Sequence, residues 1–328
     1  METVTLPELN LANSRIGLGT WAIGGWMWGG TDEKKSIDTI LRALERGVNL
    51  IDTAPIYGFG KSEEIVGKAM AEYRQRERIV LSSKAGLEWK GDEVFRNASK
   101  KRLMQEIDDS LKRLKTDYID VYHVHWPDPA TPIEETAETM NKILESGKIR
   151  AIAVSNFSID QMETFMKESP LHVSQPPYNL FEREITETQL PFCKDNNIAI
   201  LAYGSLCRGL LSGKMSEERV FEGDDLRKMD PKFQMPKFKE YLNAVDQLDK
   251  FAQDKHNRRV IHLAVRWMLD NGVEVALWGA RRPDQLDAVD EIWDWSLSKN
   301  DLAEIEQILN NNIKEPLGPE FMAPPSRD

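Results

Sequence analysis

Short apolar runs alternate with amphipathic segments from one end of the chain to the other. The runs are RIGLGTW (15–21), NLIDTA (49–54), IVLSSKA (79–85), YIDVYHVHW (118–126), IRAIAVSN (149–156), HVSQPPYN (172–179), IAILAY (198–203) and VEVALWGA (273–280). Between them, segments such as SIDTILRALERG, SEEIVGKAMAEY, KKRLMQEIDDSLKRL and PIEETAETMNKILESGK carry apolar residues at helical spacing, with Gly47 and Gly147 placed to end helices. Parallel neighbours need a helical crossover, so eight strand–helix units predict an α/β fold of eight parallel strands closed as a (β/α)8 TIM barrel.

Three segments break the alternation. TVTLPELNLANSR predicts an N-terminal hairpin, turning around Asn10 to Asn13, at the bottom of the barrel. A long stretch after the seventh strand, LLSGKMSEERVFEGDDLRKMDPKFQMPKFK, has weak periodicity, and long loops in compact domains usually serve function. The Pro-rich tail PLGPEFMAPPSRD reads as irregular. No internal repeat or low-complexity linker divides the chain, so residues 1–328 are expected to form one domain.

Charge and composition narrow the function. The chain carries 43 Lys and Arg against 54 Asp and Glu, a net charge of −11, which argues against nucleic acid or an anionic membrane as partner. Two cysteines, Cys193 and Cys207, make no disulfide framework. No apolar run approaches the roughly 18 residues of a membrane span. A soluble, cytoplasmic, monomeric protein acting on a small molecule is the expectation.

A barrel of this kind places its chemistry at the C-terminal ends of the strands. In order, those positions hold Thr20 and Trp21, Asp52 with Tyr57, Lys84, His125, Ser155 and Asn156, Gln175, Tyr203, and Gly279 to Arg281. Asp52 ends an apolar strand, where a carboxylate is costly to bury without a partner. Alternation places Ser82 and Lys84 on one face and His123 one layer below His125, so Lys84 is the expected partner of Asp52. An adjacent ammonium would lower the pKa of Tyr57 and make its phenol a proton donor, while His125 would hydrogen-bond a carbonyl oxygen. Singly, these residues read as a structural ion pair, a turn aromatic and a core histidine. Four such groups at three consecutive strand ends favour catalysis.

Together, DTAPIYGFGKSEEIVGKA, SSKAG, YIDVYHVHWPDP, GKIRAIAVSNF, QPPYNLFER, LAYGSLCRGLLSGK and WGARRPDQL make the chain resemble an aldo-keto reductase over essentially its whole length. GTWAIGG and GPEFMAPP are similar to a bacterial subgroup that includes general-stress enzymes of that family. The resemblance implies hydride transfer between a nicotinamide dinucleotide, usually NADPH rather than NADH, and aldehydes or ketones. It implies a tetrad of Asp52, Tyr57, Lys84 and His125, with Tyr57 the acid in reduction and the base in alcohol oxidation. Ser155, Asn156 and Gln175 would bind the nicotinamide carboxamide, and Tyr203 would stack on its ring.

The remaining cofactor contacts follow from the same resemblance and from what is missing. GLG at 17–19 lacks the third glycine and the helix of a Rossmann site. Backbone amides of Gly204, Ser205, Leu206 and Cys207, with Arg208 and Lys214, are instead the candidates for the pyrophosphate. Arg227 would fasten the loop over it. Gly279, Ala280, Arg281 and Arg282 at the last strand end suit a 2′-phosphate. There the chain departs from animal reductases, whose Lys-Ser is Gly279-Ala280 here and whose adenosine-site arginine aligns with Gln285, which leaves the adenosine contacts less fixed than the tetrad.

Trp21, Trp26, Trp28, Phe59, Trp89 and Trp126 are the candidates for the substrate pocket, an apolar lining suited to small neutral carbonyl compounds such as glyceraldehyde. Two other classes fit parts of the pattern: a channel-auxiliary subunit that senses redox state through bound cofactor, and a barrel isomerase using Lys84 as a Schiff base. No HxxxH or carboxylate cluster predicts a metal. Beside Arg208, the Cys207 thiol could be lowered in pKa, but an inert loop thiol is the simpler reading.

Overall fold

The structure is a computed structural model, and it describes residues 1–327. The N-terminal hairpin pairs β1 (Thr3–Thr5) with β2 (Ala12–Ser14). The barrel strands are β3 (Ile16–Gly19), β4 (Leu50–Asp52), β5 (Val80–Ala85), β8 (Ile119–Val124), β9 (Ile149–Ser155), β10 (Val173–Gln175), β11 (Ala199–Ala202) and β12 (Val275–Gly279). They run parallel in sequence order, and β12 closes on β3. A second hairpin, β6 (Leu87–Lys90) with β7 (Glu93–Arg96), is inserted after β5.

The α-helices among the described residues are α1 (Trp21–Gly24), α2 (Glu33–Glu45), α3 (Lys61–Tyr73), α4 (Lys100–Leu114), α5 (Ile133–Glu145), α6 (Ile159–Met166), α7 (Gln189–Asp195), α8 (Lys237–His256), α9 (Val260–Asp270) and α10 (Lys299–Asn312). Strands buried on both faces read as continuous apolar runs, which is why all eight barrel strands lie inside the runs seen in the sequence. Gly47 and Gly147 take φ of 84° and 77° just past α2 and α5, where a side chain would strain the backbone.

The barrel floor is packed, not open. Leu50, Val80, Val121, Ala151, Val173, Leu201, Val275 and Leu277 form one buried cluster with Leu6 and Leu9 of the hairpin loop. The hairpin therefore plugs the bottom, as its position suggested. Its turn differs from the expectation: the connection runs over residues 6–11, and Asn13 lies within β2. Asn13 is buried and donates to the carbonyls of Val4 and Leu11, bonds that hold the strand rather than reverse it.

Past β12 the expected helix is a 3-10 stretch, Pro283–Ile292. The long segment after β11 forms three 3-10 turns at Cys207–Ser212, Leu226–Lys228 and Pro231–Phe233. The tail is irregular for most of its length, as expected, and is tied down: Glu320–Met322 makes another turn, and Ser326 bridges to Arg96 of β7. No helix among the described residues is long and apolar enough to cross a membrane.

Candidate active site

Asp52 is 3% exposed and answers for its burial with three donors. Lys84 Nζ lies 2.6 Å from one carboxylate oxygen, and Ser82 Oγ and Gln175 Nε2 lie 2.7 and 2.9 Å from the other. Lys84 is 1% exposed and also donates to the Thr53 carbonyl at 2.9 Å. Burial pulls its ammonium below the ordinary lysine value, against Asp52, which holds it charged. One layer down, His123 Nε2 meets Ser82 Oγ at 2.9 Å, and burial, helped by Lys84, drops its pKa to about 3.

Tyr57 sits above this pair. Its ring stacks on Trp21 at 5.9 Å between centroids and meets His125 edge-on at 5.9 Å, with Lys84 Nζ 5.1 Å from its centroid. The lysine and the phenol thus share one compartment. The expected lowering of the phenol pKa is not what the geometry gives: burial first, then the Asp52 charge, raise it well above 10. Lys84 does not offset this, since its ammonium is already bonded to Asp52 and Thr53. His125 is also pushed well down by burial and by Lys84, so its imidazole is neutral.

Close backbone contact places Tyr57. A Cβ on Gly24 would lie 2.5 Å from the Tyr57 carbonyl carbon, and one on Gly58, at φ 67°, would lie 2.1 Å from the Gly24 oxygen. Two chains can meet this closely only through glycine. Gly24→Ala is therefore expected to shift Tyr57 and to cut kcat more than it raises KM; unchanged kcat in steady-state assays would refute this.

The amide-bearing residues line the same cavity. Ser155 Oγ donates to the Gln175 carbonyl at 2.8 Å, Asn156 Nδ2 to the His125 carbonyl at 3.0 Å, and Tyr203 OH to Asn156 Oδ1 at 2.9 Å. Asn156 takes φ 61°, which turns its side chain back over the strand ends. The cavity measures about 230 Å³ and is walled by Trp21, Trp26, Met27, Leu87, Val94, Trp126 and the tail residues Met322, Pro324 and Pro325.

Several expected contacts fall elsewhere. Trp28 packs edge-on against Trp21, while Phe59 and Trp89 stand behind Trp26, so these three support the pocket without lining it. Thr20 is buried, and its hydroxyl donates to the Asp52 carbonyl. Ser205 Oγ donates to the Leu277 carbonyl, which leaves the expectation for its backbone amide untouched. The Arg208 guanidinium is buried between Glu182 and Asp230, so it is saturated by two carboxylates and not free for a phosphate. Burial pushes the Cys207 thiol up to about 12, against the suggested lowering, because Arg208 is already neutralised. Gln285 Oε1 accepts from the Arg281 and Arg282 amides and caps the turn there, which commits its carbonyl.

Gly204, Ser205 and Leu206 stand at the start of that loop, Lys214 is exposed further along it, and Gly279 ends β12 with Ala280 just past it. The segment after β11 crosses to the loop after β3, passing over the end of β12 between them. Asp224 accepts from the Met27 and Gly29 amides at 2.7 and 3.1 Å, Arg281 Nη1 reaches the Trp28 carbonyl at 2.6 Å, and Arg227, paired with Asp225, lies over the Trp28 ring. Arg281 is pushed below its ordinary value by burial and by the nearby Arg227 and Arg282. Such crowding of cations is relieved by an anion.

Sequence reasoning missed Met27, Leu87, Val94 and the tail. LEWKGDEVF, with alternating residues around Lys-Gly-Asp, is a hairpin signal that would have found the second and third of these.

A sequence model of the Aldo/keto reductase family matches residues 15–310. "Aldo-keto reductase YhdN" of Bacillus subtilis is 61% identical, covering 100% of this chain and 99% of that protein. "NADH-specific methylglyoxal reductase" of Escherichia coli is 35% identical over 87% of this chain and 91% of its own. Among solved structures, a glycerol dehydrogenase from Gluconobacter oxydans superposes with a TM-score of 0.89 at 48% identity, covering 98% of this chain and 99% of that one.

Proposed function

The chain belongs to the Aldo/keto reductase family, and from that premise we propose that it is an NADPH-dependent reductase of small uncharged aldehydes and ketones, short hydroxyaldehydes such as glyceraldehyde among them. The reverse direction would oxidise the matching alcohols and polyols. The observation that carries this reading is Tyr57, a protonated phenol between Trp21 and His125 over the Asp52–Lys84 pair, at one end of an apolar cavity.

The residues suit a nicotinamide dinucleotide. Gln175, Asn156 and Ser155 present amide and hydroxyl groups at one wall, and Tyr203 offers its ring beside them. Arg281, buried in part and crowded by Arg227 and Arg282, suits phosphate charge. When bound, NADPH supplies the hydride.

The chain's own part is binding and proton delivery. Neutral His125 donates a hydrogen bond to the carbonyl oxygen, and Tyr57 gives that oxygen its proton as negative charge develops. A free phenol is ordinarily a far stronger acid than the alcohol formed, which favours the transfer. Asp52 and Lys84 hold a compensated charge pair below the phenol. The apolar walls exclude water and fit a short neutral chain.

Mixing the aldehyde with NADPH and following absorbance tests the reading; turnover of glyceraldehyde supports it, and cofactor binding without turnover of any short aldehyde defeats it. Cofactor choice has its own test. Replacing Arg281 and Arg282 together by glutamine is expected to raise KM for NADPH by roughly 10-fold or more, the worth of a charge-assisted hydrogen bond, with KM for NADH little changed. Equal effects on both would remove the 2′-phosphate assignment. The glycerol dehydrogenase and the methylglyoxal reductase among the similar proteins support small polar C3 compounds as the substrates to try first.

A further inference from the structure

One buried acid lies outside the chemistry described so far. Glu106 sits on α4, on the outer side of the barrel, and is 1% exposed. Oε2 accepts from the Gly86 amide at 2.8 Å, and Oε1 accepts from Arg102 Nη2 at 2.6 Å. The same Arg102 nitrogen donates to the Leu87 carbonyl at 3.0 Å, and the guanidinium lies 5.4 Å over the Trp89 ring.

Those contacts fall where the chain leaves β5, two residues after Lys84, and turns into the β6–β7 hairpin. Gly86 takes φ 91°, and its carbonyl accepts from the Asn97 amide at 2.9 Å, so the turn is held at both of its ends. The hairpin contributes Leu87 and Val94 to the cavity, and Trp89 backs Phe59. Arg96, at the end of β7, donates to the Pro324 carbonyl at 2.6 Å, so the tail wall hangs on the same hairpin.

Glu106 binds the first main-chain amide past the strand and, through Arg102, the next carbonyl. We propose that Glu106 is a positioning residue that fixes the apolar wall of the substrate cavity by holding the turn from β5 into the hairpin. This rests on the reading of that cavity as the aldehyde site. Glu106 touches neither substrate nor cofactor; it acts through Gly86, Arg102 and Leu87. Glutamine at 106 keeps an acceptor for Gly86 but turns a donor toward Arg102, which then loses its carboxylate partner and keeps only the Leu87 carbonyl.

The test compares the full chain with Glu106→Gln, Arg102→Ala and the double variant, using hexanal and glyceraldehyde with NADPH. KM for hexanal is expected to rise at least about fivefold in each variant, with kcat for glyceraldehyde unchanged and the double variant no worse than the worse single. Amide hydrogen exchange, read without turnover, is expected to quicken over residues 86–96 and not in β8 or β9. Unaltered exchange at the turn, uniform acceleration across the barrel, or an unchanged hexanal KM would each overturn the proposal. If the parent chain reduces no aldehyde, the reductase reading fails instead, and the exchange data alone decide whether Glu106 holds the turn.

Discussion

Tyr57→Phe is expected to lower kcat for aldehyde reduction by roughly 10²–10⁴-fold while NADPH binding stays near the parent value. Phenylalanine keeps the stack on Trp21 and the edge contact with His125, so packing is preserved and only the hydroxyl is lost. No other group replaces it as acid: His125 is neutral and Lys84 is turned onto Asp52. The pH profile follows from the same shifts. Because the phenol pKa is raised, Tyr57 is protonated throughout the neutral range, and reduction needs that form. Because the imidazole is lowered, reduction should show no limb near the usual histidine value of roughly 6.5. Alcohol oxidation needs the phenolate and should climb as pH rises. Stopped-flow and steady-state rates with cofactor titration by fluorescence check this, and a Phe variant turning over near the parent rate would strip Tyr57 of its role.

The second large effect is on stability. Asp52→Ala is expected to cost about 3–5 kcal/mol, since it leaves the Lys84 ammonium buried and without its counter-charge. In a barrel of this size that corresponds to a fall in Tm on the order of 10 °C. Replacing both partners, as Asp52→Leu with Lys84→Met, should be much less harmful than the single change, because no unpaired charge remains. Both variants should be inactive. Thermal unfolding of the three proteins decides it, and a double variant as unstable as Asp52→Ala would show that the pair is not the source of the loss.

The frame of the molecule was open to sequence reading because its signal is periodic. Strands buried on both faces give unbroken apolar runs, and parity alone put Ser82 with Lys84 and His123 beneath His125. What escaped depends on partners far along the chain. Arg208 looks free beside its glycines until Glu182 and Asp230 fold against it. The tail carries no periodicity, and its order comes from Arg96 and Arg327, which donate to the Pro324 carbonyl and to Thr131 Oγ1 at 2.6 and 2.7 Å. The sign of the Tyr57 shift is set first by burial of the phenol and then by the Asp52 charge, neither of which strand parity reports.

The strap from Asp224 to the amides of Met27 and Gly29, with Arg281 bonded to the Trp28 carbonyl, roofs the end of β12. If the proposed dinucleotide binds beneath it, those bonds would have to open before the cofactor could leave. Residence time, more than affinity, would then set the tempo of repeated cycles, and Asp224→Ala would be expected to speed cofactor exchange.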